Sequence, residues 1–170
     1  MSDPGGPVLG QTDALLDIDG SALLGEISLA LARQCRRHLD IVSRHLDPAV
    51  YDNDDFAEAV KRIALGNRHA RIRLFIVDPR PLVSRGHRLL DLAERLSSFV
   101  QVRVAAPLQK EFNEAILLAD RKGYAHRRFA DRFEGTANFS DPRLAAALAD
   151  RIDELWERGL PDPNFRRLHL

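Results

Sequence analysis

The stretch RIRLFIVDP, Arg71 to Pro79, decides the fold. Its apolar part runs almost unbroken through LFIVD, the pattern of a strand covered on both faces. Such a strand needs a helix layer above and below it, and the neighbouring sequence supplies candidates. Upstream, YDNDDFAEAVKRIALGN puts Phe56, Ala59, Val60 and Ile63 on one stripe, with an Asp or Asn cap before it and Gly66 and Asn67 as its stop. Downstream, PLVSRGHRLLDLAERLSS reads as one helix offering Leu89, Leu92, Ala93 and Leu96 to a sheet. FVQVRVAAP then alternates Val100, Val102 and Val104 with Gln101 and Arg103, a second strand. On the amino side, ALLGEISLALARQCRR aligns Leu24, Ile27, Leu31 and Cys35 on a helix capped by Asp19 or Ser21, and HLDIVSRHL reads as a short strand around Leu39 to Ser43, although a continued helix fits its polarity nearly as well.

Alternating strands and helices predict an α/β domain, a mixed and mostly parallel sheet flanked by helices. The pattern changes at EAILLADRKGYAHRRF, where no helix fits between two apolar runs; this predicts a hairpin, with Gly123 of DRKG as the residue suited to positive φ. DRFEGT offers a further short strand. Ser140 or Asp141 caps the last helix, Pro142 opens it, and Leu144, Leu148, Ile152, Leu155 and Trp156 form its apolar face before Gly159 and Pro161 stop it. The expected organisation is a flexible N-terminus over residues 1–18, one domain over 19–160 and a tail over 161–170.

A single cysteine, Cys35, excludes an intrachain disulfide and reads as a buried, inert thiol. MSDPGGPVLGQTD lacks the basic run and apolar core of a secretory signal, and no stretch is long and apolar enough to span a bilayer, so a cytoplasmic protein is expected. Zero net charge hides a division: residues 1–60 carry 11 acidic and 4 basic side chains (net −7), and residues 61–170 carry 14 and 21 (net +7). Such a division suits pairing of the halves within the chain, pairing between subunits or contact with an external anion, and it equally arises by accident of composition. Asp52, Asn53, Asp54 and Asp55 read as helix capping rather than a calcium loop, and Asp78 suits a turn as well as a site. His38, His45, His69 and His169 lack the spacing of a zinc site, and neither a metal nor a cofactor is expected.

The corner FEGTANFSDP, Phe133 to Pro142, together with the element order, resembles one half of the phospholipase D-like fold. That family carries the motif HxKxxxxD followed by GSxN. Here GTAN, Gly135 to Asn138, is similar to the second element, with Thr136 and Asn138 at its hydroxyl and amide positions. Asp120 stands at the aspartate position, while Asn113 and Ala115 occupy the histidine and lysine positions, and the interval from Asp120 to Gly135 is long. The resemblance implies a metal-free phosphodiesterase site built from two halves, in which one histidine attacks phosphorus. An amide cannot replace that imidazole, and a methyl group offers no positive charge to a phosphoryl anion.

Three functional readings follow. The first is a non-catalytic phospholipase D-like domain for binding or assembly, as a homodimer or with a partner protein, with Asn113, Ala115, Asp120, Gly135, Thr136 and Asn138 marking its former pocket. A second is an altered phosphodiesterase or nuclease using His87 or His126, the latter sharing a strand face with Arg128 and opposed to Arg127. The third is a nucleic-acid-binding protein using Arg71, Arg73, Arg127, Arg128, Arg166 and Arg167, for which a phosphate is the natural ligand.

Overall fold

The computed structural model describes residues 5–161. Its middle layer is a seven-stranded sheet of β1 (Leu16–Asp19), β2 (His38–Ser43), β3 (Arg71–Ile76), β4 (Val100–Val104), β5 (Ala115–Ala119), β6 (Gly123–Arg127) and β7 (Glu134–Asn138), in the order β1-β7-β6-β5-β2-β3-β4. β2, β3 and β4 pair in parallel, and the other four ladders are antiparallel. Since β1 and β6 also run in the direction of that trio, five of the seven strands point one way, giving the expected mixed, mostly parallel sheet.

Helices cover both faces, which is why Arg71–Ile76 lacks alternation. On one face α1 (Ser21–Gln34), α3 (Asp54–Gly66) and α5 (Arg88–Arg95) press Leu31, Phe56, Ile63 and Leu89 onto Leu39, Ile41, Leu74 and Leu117. On the other α6 (Pro142–Arg158) lays Ala145, Leu148, Ile152 and Trp156 over Val42, Phe75, Ile116 and Tyr124. Trp156 is 8% exposed, and the guanidinium carbons of Arg73 and Arg103 stand 5.5 and 4.8 Å from its ring centre.

The capping chemistry agrees with the sequence in two places: Asn53 accepts from Phe56 N at 2.8 Å and Asp141 from Leu144 N at 3.1 Å. Elsewhere the structure differs. Gly20, at φ 92°, precedes α1, and neither Asp19 nor Ser21 caps it. The expected single helix after β3 is two, α4 (Arg80–Arg85) and α5, because Gly86 takes φ 74° between them. A short α2 (Pro48–Tyr51) also forms. In the β5–β6 turn the positive φ values belong to Asp120 (51°) and Arg121 (55°), with Lys122 N bonded to Ala119 O, the geometry of a primed hairpin turn. Gly123 is needed for a different reason: a Cβ there would lie 2.7 Å from a Leu9 methyl and 2.9 Å from Phe139 O.

Within the expected flexible stretch 1–18, Leu16 to Ile18 begin strand β1, paired with Gly135 to Ala137. Upstream of it Gly10 N donates to Phe139 O at 2.8 Å, and Leu9 N to Gln34 Oε1 at 2.7 Å. Backbone pairing over so short a strand is invisible to hydrophobic periodicity. The tail beyond Pro161, with Arg166, Arg167 and His169, lies outside the described residues. Among the described residues no helix is long and apolar enough to cross a membrane.

Candidate functional site

The strand directions give the sheet two distinct ends. At its carboxyl edge lie the C-terminal ends of β2, β3, β4 and β6 and the N-terminal ends of β5 and β7; the amino edge holds their other ends and the β5–β6 turn. The six residues singled out around the hairpin do not share one pocket. Asn113, Ala115 and Gly135 lie at the carboxyl edge, Thr136 pairs with His126 just inside it, and Asp120 and Asn138 lie at the amino edge.

At the carboxyl edge, Asn113 is exposed; its Oδ1 accepts from Arg44 Nη2 at 3.2 Å and its carbonyl from Ala130 N at 2.7 Å. Ala115 is buried directly opposite Arg127 in the β5–β6 ladder. Arg127 is 2% exposed, and its guanidinium donates to the Asp47 carboxylate and to the carbonyls of Ala130 and Arg132 at 3.3 and 3.0 Å. Asp47 also accepts from Ser43 Oγ at 3.3 Å, so the cation nearest Ala115 is neutralised and sealed from solvent. Gly135 passes so close to β6 that a Cβ would lie 2.2 Å from His126 O.

His126 points to the α6 face, opposite to Arg127, and its Nε2 donates to Glu114 Oε1 at 2.7 Å. The other Glu114 oxygen accepts from Arg151 of α6. Burial, then the charge of Arg128, pushes the imidazole below its ordinary pKa, and Nδ1 has no partner among the described residues. His126 is not beside Asp120; the two lie toward opposite ends of the hairpin.

His87, a candidate from the sequence, is buried away from the sheet hairpin. It is 3% exposed, with Nδ1 accepting from Leu89 N at 3.0 Å to cap α5 and Nε2 donating to Leu46 O at 2.9 Å, so both nitrogens are engaged within the fold. Asp78 accepts two 2.8 Å bonds from Arg80, and these hold its carboxyl down at about 2. Arg73 also leaves the set of available cations: it is buried against Asp40 at 2.6 Å and Asp153 at 2.8 Å. Arg128 and Arg71 are exposed. The acidic and basic halves therefore pair internally, through Asp40–Arg73, Asp47–Arg127 and Asp52–Arg88.

At the amino edge, Asn138 is buried and joins the N-terminal segment to the turn before α6: Oδ1 accepts from Ala14 N and Ser140 N, and Nδ2 donates to Asp13. The Asp120 carboxylate accepts from the backbone N–H groups of Arg36, Arg37 and His38 at 2.8, 2.9 and 2.9 Å and from the Cys35 thiol at 3.4 Å. Burial opposes its charge, but the bonds from His38, Arg36 and Arg37 outweigh that and hold the carboxyl below its ordinary range. Burial, then Asp120, pushes the Cys35 thiol far up, in keeping with the inert thiol read from sequence. The bonding turns the Arg36 and Arg37 backbone inward and leaves both side chains exposed, as is Lys122 in the adjoining turn. Positive charge accumulates here, since burial and then Arg71, Arg37 and Arg121 push the His38 imidazole down. A groove of about 560 Å³ opens beside this corner, lined by Val8, Leu9, Gln11, Gln34, Asp120 and the cations Arg33, Arg36, Arg62 and Lys122. Sequence reading missed it because Arg36 and Lys122 are adjacent only through the β2–β5 pairing.

Solved structures share this architecture. TrmBL2, an archaeal chromatin protein described as showing a novel mode of DNA binding, matches with TM-score 0.60 at 17% identity, over 86% of this chain and 53% of its own; the present chain thus spans about half its length. Nuc from Salmonella typhimurium, a phospholipase D family member, matches with TM-score 0.58 at 9% identity, over 86% and 95%. NucT from Helicobacter pylori matches with TM-score 0.62 at 10% identity, over 88% and 98%. At such identities the likeness is one of fold, and it makes the phospholipase D-like architecture a distant structural relative of this chain. No curated protein matches the sequence. A family model described as a domain of unknown function, DUF7931, matches residues 22–168, and the chain belongs to that family.

Proposed function

We propose that this chain is a nucleic-acid-binding domain of phospholipase D-like fold that does not use the covalent phosphohistidine chemistry. The observation that carries the reading is the disposition of its cations. Arg127, beside the position where the resemblance expects a lysine, is consumed by Asp47, whereas Arg36, Arg37 and Lys122 are exposed with no acidic partner among the described residues. Free guanidinium groups at one edge are suited to phosphate oxygens. The fold shared with a chromatin protein and with a phospholipase D family member supports a phosphodiester ligand over a purely assembling role. Asn113 and Ala115, read as the degenerate histidine and lysine positions, supply neither nucleophile nor clamp. Binding of labelled single-stranded DNA or RNA is expected to weaken about 20-fold for a fourfold rise in salt if three phosphates are neutralised. Absence of binding to either at low salt would refute the reading.

One observation favours a second reading, an altered phosphodiesterase. His126 is oriented by Glu114 through Nε2 and unpartnered at Nδ1 among the described residues, an arrangement able to accept a proton. On that reading, any hydrolysis of a phosphodiester panel drops at least about 100-fold in His126→Ala with its unfolding midpoint unchanged. Wild-type protein inert across the panel, or a variant as active as wild type, rules it out.

A further inference from the structure

Three pieces of chain meet at the amino-edge groove: the segment from Val8 to Gln11, the corner after α1 with Arg36, and the β5–β6 turn with Lys122. Its walls are fixed before any ligand arrives. Gln34 accepts from Leu9 N at 2.7 Å and donates to Pro7 O at 3.0 Å, and Gly10 N is held by Phe139 O. Of the four lining cations, Arg62 is engaged by the carbonyls of Ala32, Arg33 and Cys35, which would otherwise end α1 with a negative dipole facing the groove. Arg33 is held only loosely, 3.7 Å from an exposed Asp55. Arg36 and Lys122 are unpaired among the described residues, and the one lining acid, Asp120, is already occupied by three N–H groups.

We infer that this groove is a binding site for a single-stranded phosphodiester chain, held through its phosphates and indifferent to base sequence. The inference rests on the nucleic-acid reading and locates its contact on the sheet edge opposite Ala115. Size favours the single strand: a groove of about 560 Å³ can seat one sugar-phosphate strand between its walls, whereas a duplex, whose major groove alone is about 12 Å wide, is broader than the groove and meets only its rim. Chemistry selects the phosphates, because the lining contains cations but no aromatic ring on which a base could stack. Val8 and Leu9 offer an apolar flank for sugar, and preformed walls reduce the ordering cost of binding.

The test measures binding of a short labelled oligothymidylate and of a blunt duplex of equal length across a salt series, for wild type and for Arg36→Gln/Lys122→Gln. The oligothymidylate is expected to bind more tightly than the duplex, and the double variant to lower the salt slope by about 1.4, two single-strand phosphates. A wild-type protein that binds nucleic acid with a slope untouched by the double variant overturns the groove and leaves the general reading standing. So does a preference for the duplex. If neither probe binds at low salt, the general reading and the groove fall together.

Discussion

Replacing Asp47 by alanine is expected to destabilise the fold by about 3–5 kcal/mol, because it strands a buried guanidinium. Arg127 sits between the β5–β6 ladder and the Phe133 ring, 5.4 Å from the ring centre, and Asp47 is its carboxylate partner. Without that partner two backbone carbonyls face a full positive charge that water does not reach. Removing both charges is a different matter: Asp47→Ala with Arg127→Met leaves an apolar side chain of comparable length, and most of the loss is expected to return. Urea unfolding of the two single variants and the double variant gives the coupling, expected at about 2 kcal/mol or more. Additive losses, or an Asp47→Ala cost under about 1 kcal/mol, would mean that the ion pair does not hold this edge closed. An open, positively charged carboxyl edge would in turn revive a phosphoryl site next to Ala115.

Asp120→Asn is expected to cost about 2–3 kcal/mol at neutral pH, and the cost should vanish in acid. Asn tolerates the left-handed backbone at φ 51°, so the change isolates the carboxylate from the turn. The Asn carbonyl oxygen can still accept from Arg37 and His38, which share one carboxylate oxygen, so the main loss is the Arg36 bond to the other, and a hydrogen bond to a charged group contributes about 1.5–3 kcal/mol net. The folded carboxyl titrates below its unfolded value, so its contribution is fully present above about pH 4 and disappears as pH falls through the folded pKa. Wild type and variant should therefore converge in stability near the acid limit and diverge on raising the pH. A difference independent of pH would show that the charge of Asp120 is not what fastens the α1–β2 corner.

Most of the layer pattern was legible because burial on both sheet faces leaves continuous apolar runs, as in Arg71–Ile76, and because α3 and α6 carry regular stripes with side-chain caps at Asn53 and Asp141. What escaped was set by backbone conformation and tertiary pairing. Gly86 divides a periodic stretch that propensity alone joins, and Leu16–Asp19 becomes a strand because β7 offers it a ladder. The candidate site was less legible than the fold. Asn113 and Asn138 look like members of one constellation along the chain, yet β6 and β7 carry the second to the opposite edge. Basic residues misled for a related reason: YAHRRF does not reveal that Arg127 turns inward to Asp47, and QCRRHL does not reveal that Asp120 fixes its backbone and leaves its side chains outside.

The indole of Trp156, the chain's sole tryptophan, equips the molecule with its own optical reporter. Its ring is clasped by Arg73 from β3 and Arg103 from β4 while its helix covers the second core, so ultraviolet emission senses whether α6 is docked. Loss of that clasp wets the ring and removes both neighbouring cations at once, and a label-free signal therefore follows detachment of one layer.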